Sequence, residues 1–128
     1  MDLDYIARHA QAAREFTHAI GPVTFTLRVP TKLESSIAYT QAHTAAGRDG
    51  SAGVRFERAL VVTVITGWSG VLVRHVLTAH AGDDPLAFEP RAAAVLFDSQ
   101  PEWEAGLLQA LMTRVAERQA IEDTAAKN

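Results

Sequence analysis

Apolar residues recur along this chain at two different periods. Over residues 4–18 the spacing is helical: Tyr5, Ala12, Phe16 and Ile20 fall near one stripe, with Ile6 and Ala13 beside it and Arg8 and Gln11 facing away. This predicts a helix from Asp4 to His18, stopped by Gly21-Pro22, since glycine followed by proline cannot continue a helix. Residues 23–29 alternate, with Val23, Phe25, Leu27 and Val29 on one side and Thr24, Thr26 and Arg28 on the other. That is the pattern of a half-buried strand. Pro30 ends it, and Thr31 with Glu34 stand at capping-box spacing, so a helix from about Lys32 to Ala46 follows at once, with Leu33, Ile37, Ala38 and either Thr44 or Ala45 inward.

GRDGSAG at 47–53 is a loop. The next stretch is ambiguous. Its β-branched residues fit a strand, whereas its length and the spacing of Phe56, Leu60, Val64 and Trp68 fit a helix. The expectation is a buried helix over 54–67 ended at Gly67, although VVTVI alone suits a strand. Residues 71–80 read as a short helix or a second strand, and AGDDP as a turn. Glu89-Pro90 opens a short helix through Phe97. Ser99 and Glu102 form a second capping-box pair before a last helix to about Gln119, whose apolar stripe is Trp103, Leu107, Leu111 and Val115. Residues 121–128 read as a polar, frayed tail. The expected fold is mainly helical α+β: about five helices with one short strand or hairpin near residues 23–29, in a single globular domain over 1–120.

Composition narrows the chemistry. The chain has 128 residues, of which 48% are hydrophobic, so it can close one modest core. It has no cysteine, which removes thiolate nucleophiles and Cys-type zinc sites. The formal net charge is −3 with no basic stripe, which argues against nucleic acid as a partner. The apolar run from Ala59 to Val73 is too short and too interrupted by Thr, Ser and Gly to span a bilayer. MDLDYIARHA lacks the form of a secretory signal, so the expected location is the cytoplasm.

No catalytic or metal constellation emerges. His9, His18, His43, His75 and His80 never stand at the i, i+4 spacing of a metal helix, the closest pair being His75 and His80. Ser35-Ser36 lacks the glycines of a nucleophile elbow, and GWSG at 67–70 does not match G-x-S-x-G, reading instead as a helix end with a tight turn. Asp83-Asp84 and Glu122-Asp123 are neighbours, whereas paired catalytic carboxylates converge from separate elements. GRDGSAG lacks the spacing of a dinucleotide loop, and there is no Walker lysine. Neither catalytic residues, a cofactor nor a metal is therefore expected. Convergence of His75, His80 and Asp83 or Asp84 on one cavity would reopen the question.

Three ordered stretches carry a resemblance: TFTLRVPTKLE at 24–34, VVTVITGWSGV at 61–71 and DPLAFEPRAAAVLFDSQPEW at 84–103. Together they resemble the small tail assembly chaperones of long-tailed, siphovirus-like bacteriophages and prophages. The resemblance implies non-enzymatic work: covering the tape measure protein until tail tube protein replaces the chaperone, with self-association. A structural tail component retained in the virion, such as a completion or connector protein, is the alternative. The candidate partner-binding residues are Trp68, Trp103, Leu107, Leu111 and Val115. Each serves as a core anchor if buried and as a binding anchor if exposed.

Overall fold

The computed structural model describes residues 1–127, and the fold is mainly helical α+β. Five α-helices accompany a three-stranded antiparallel sheet: α1 (Leu3–Ala12), β1 (Glu15–Ile20), β2 (Val23–Arg28), α2 (Lys32–Ala46), α3 (Ala52–Val64), β3 (Ile65–Ser69), α4 (Pro90–Ser99) and α5 (Pro101–Lys127). A single 3₁₀ turn at Val73–His75 interrupts the long connection to α4.

The alternation over 23–29 forms β2 as expected, and β2 is the central strand of the order β1-β2-β3. Its partners are where the sequence reading is corrected. The helix predicted to His18 ends at Ala12, and Glu15–Ile20 is a strand paired with β2 from Glu15↔Arg28 to Ile20↔Val23. Gly21-Pro22 is the two-residue turn of that hairpin. Gly21 takes φ +57°, the positive value required at the first central position of a type II′ turn, while proline's ring fixes the second. The helix predicted over 54–67 is also divided. It stops at Val64, and ITGWS continues as β3, paired with β2 through Phe25↔Trp68 and Thr26↔Gly67. Thr66 is the extra residue of a bulge there, and its hydroxyl donates to the Thr26 carbonyl.

The register sorts the sheet into two faces. Phe16, Leu27 and Ile65 stand opposite one another, as do Phe25 and Trp68, and this face meets α3, α4 and α5. Val61, Val64, Leu96, Phe97, Leu107 and Leu111 complete a fully buried core with it. The other face carries Thr17, Thr24, Thr26 and Ser69, small polar residues suited to solvent. Residues 71–80 form neither the helix nor the strand expected: beyond the 3₁₀ turn, their one ladder contact is the isolated bridge Leu72↔Pro85.

The predicted Ser99–Glu102 cap is not used. Ser99 is the last residue of α4, and its hydroxyl turns to the Val76 carbonyl. α5 continues well past the predicted end at Gln119, through most of the stretch read as a frayed tail; Asn128 lies outside the described residues. Alanines and the i, i+4 pairs Arg118–Glu122 and Gln119–Asp123 favour that extension.

The join between β2 and α2 is held by charge. Thr31 accepts from the Glu34 N–H, and Glu34 accepts from the Thr31 N–H, completing the predicted capping box. Glu34 also receives both arms of the Arg28 guanidinium, which reaches on to the Thr63 carbonyl at the end of α3. Arg28 and Thr31 together hold the Glu34 carboxyl down to about 2 from an ordinary 4.5. Because the folded value is depressed, this stabilisation is complete above the ordinary carboxylate range and is lost as pH falls through 4.5 towards 2. Glu34→Gln is expected to cost about 1–2 kcal/mol at neutral pH. It should also flatten the fall in melting temperature between pH 5 and pH 2, a window set by the depressed carboxyl, as followed by circular dichroism.

Candidate partner-binding surface

The residues singled out on α5 are core residues. Leu107 and Leu111 are completely buried, and Val115 packs half-buried at the core margin. Trp103 sets its ring edge-on to Phe25 (6.1 Å between centroids) and to His75 (5.0 Å). Trp68 lies edge-on to Phe88 (5.0 Å), and its indole N–H donates to the Leu86 carbonyl (2.8 Å). The ring is anchored at both its apolar body and its polar tip. Leu107 and Leu111 are thus core anchors with no surface to offer, and Trp68, Trp103 and Val115 pack half-buried against the same core, while the exposed large apolar residues of α5 are Met112 and Ile121.

On α2, by contrast, large apolar side chains stand exposed on one side of a packed helix. Of Leu33, Ile37, Ala38 and Thr44 or Ala45, expected to point inward, only Ala38 is buried. The buried side of α2 is the stripe Ala38, Ala42 and Ala46, packed on α3. Leu33 and Ile37, one turn apart on the opposite side, are 69% and 47% exposed. The physical reason is close approach: alanines let two helices of a hairpin draw together, and a leucine on that side would hold them apart. Along the flank of α2 runs an open groove of about 520 Å³, walled by Ala42 and Ala45 on one side and Val54, Ala59 and Val62 on the other. Arg58 closes it, paired with Glu104 of α5 and with Asp98 of α4 (2.9 Å).

The second exposed element is α1. Every residue from Met1 to Ala13 is exposed, and no residue of the helix is buried. Leu3, Ile6, Ala7 and Ala10 share one side, with Asp4, Arg8 and Gln11 on the other. Its caps are local: Asp2 accepts from the Asp4 N–H, and His9 stacks on Tyr5. A ten-residue helix without tertiary packing is marginal in water. Removing residues 1–12 is accordingly expected to leave the melting temperature within about 2 °C of the intact chain in differential scanning calorimetry.

Histidines and acids do not converge. His75 accepts the Leu72 N–H at Nδ1 and turns its ring to Trp103, whereas His80 pairs with the exposed Asp84 (2.7 Å) and Asp83 pairs with Arg74. Among the described residues no cluster of three or more His, Asp or Glu is placed to hold a metal ion. No helix among them is long and apolar enough to cross a membrane. Comparison with protein-family models, with curated proteins and with solved structures finds no match.

Proposed function

We propose that this protein is a non-enzymatic bacteriophage tail assembly chaperone, which binds the tape measure protein in the host cytoplasm and keeps it soluble while the tail is built. One observation carries the reading: α2 buries alanines and turns Leu33 and Ile37 outward. Large aliphatic residues held outward on an ordered helix suit contact with the apolar stripe of an amphipathic helical partner. The three ordered sequence stretches that resemble tail assembly chaperones supply the partner's identity: a long, helix-prone, apolar chain that aggregates when bare. Release to the tail tube protein requires reversible binding, and a small apolar face is consistent with a modest interface. Self-association through the same face would shield it before the partner arrives.

Co-expression with a fragment of the tape measure protein encoded beside this chain tests the proposal. The expected result is a soluble fragment that co-purifies with the chaperone. A fragment that stays insoluble and does not co-purify would remove the proposal.

A further inference from the structure

A cleft of about 340 Å³ opens where the β2–α2 join meets the second half of α5. Its apolar walls include Pro30 and Val115, and its charges are Arg14, Lys32 and Arg118 against Glu122. Arg118 already pairs with Glu122 (3.4 Å). Arg14 and Lys32 make no ion pair among the described residues, and Arg14 Nε is buried with no hydrogen-bond partner. Arg14 is fixed in place by its backbone, whose carbonyl accepts the Val29 N–H (2.9 Å). A chain with a net charge of −3 thus gathers three cations around one small opening, one of them with an unsatisfied donor. Three cations set against a single carboxylate favour an anionic acceptor, because a charge-assisted hydrogen bond is strong.

From this charge complementarity we infer that the cleft seats a carboxylate of the bound helix: the segment covering Leu33 and Ile37 carries an Asp or Glu beside its apolar stripe. Lys32 directly precedes Leu33, so the cleft opens roughly 100° round α2 from Leu33, and the carboxylate would be carried on the flank of the helix that covers Leu33 and Ile37. The cations are interleaved with acids, Glu122 in the cleft and Glu15 and Glu117 beside Arg114 in the one adjoining it, so there is no continuous basic stripe for a polyanion such as nucleic acid. The inference rests on the helix-binding reading above and adds a charge requirement to it.

Two amphipathic helical peptides with the same leucine stripe, one flanked by glutamate and the other by glutamine, separate the two claims. Fluorescence anisotropy should show the glutamate peptide binding about 10-fold more tightly at about 50 mM salt, with the difference largely gone at about 0.5 M. The double variant Lys32→Glu, Arg118→Glu, at two solvent-accessible positions, should abolish that preference while still binding the glutamine peptide. Equal affinities for the two peptides would overturn the carboxylate site and leave helix binding standing. Binding of neither peptide would overturn both. Binding of a short DNA duplex that the double variant loses would assign the cleft to phosphate instead and overturn the inference.

Discussion

Gly70→Ala is expected to destabilise this protein by about 3 kcal/mol, combining the cost of a left-handed backbone with that of overpacking. Gly70 sits at φ +84°, and a Cβ built there would lie 2.5 Å from the Pro22 carbonyl oxygen. Both atoms that would have to move are constrained. Pro22 belongs to the tight turn joining β1 to β2, and Gly70 directly follows β3, so relief would require the end of the sheet to open. The comparison that isolates this cause is Gly67→Ala, only three residues earlier. Gly67 has no positive φ, and a Cβ there meets nothing within 4 Å, so that variant should be close to neutral. Chemical denaturation of the two variants should therefore give a large loss for one and almost none for the other. Equal losses would show that the close approach of Gly70 to Pro22 is not what matters.

Leu111→Ala is expected to cost about 3 kcal/mol in the same assay, the ordinary range for emptying a fully packed leucine site. Leu111 has no exposed surface and belongs to the cluster uniting the sheet with α3, α4 and α5. The effect should be on folding first, with any loss of partner binding following from the unfolded fraction. If Leu111 served as a contact surface, truncation would weaken the complex and leave the melting temperature unchanged. Leu107→Ala should behave alike, since Leu107 lies one turn away on the same buried stripe.

Much of the fold can be read from pattern, and the failures have physical causes. The β2 alternation and the capping box at Thr31 and Glu34 are local signals, and both form. The hairpin allowed for near residues 23–29 forms, but its first strand lies in a stretch that reads as helix, because Phe16 and Ile20 are four residues apart, a spacing that satisfies a helix and also a strand of period two. A Gly-Pro pair fits a helix end and a type II′ turn equally, and only pairing with β2 decides between them. VVTVI supported two readings because the chain changes from helix to strand inside it, between Val64 and Ile65. On α2 the error was one of side. Ala38, Ala42 and Ala46 are as periodic as Leu33 and Ile37, and hydrophobicity alone selects the larger pair for burial. What decides is how closely α3 approaches, a property of the neighbour that α2's own sequence does not carry.

The central claim, that the outward side of α2 is the surface offered to a helical partner, is tested most directly by the double variant Leu33→Ser, Ile37→Ser. Its melting temperature and its co-purification with the tape measure fragment should be measured on the same preparation. Because both side chains are exposed, the melting temperature should stay near that of the parent, within about 2 °C. The complex should be lost, with the fragment returning to the insoluble fraction. A variant that melts normally and still holds the fragment as well as the parent does would contradict the account.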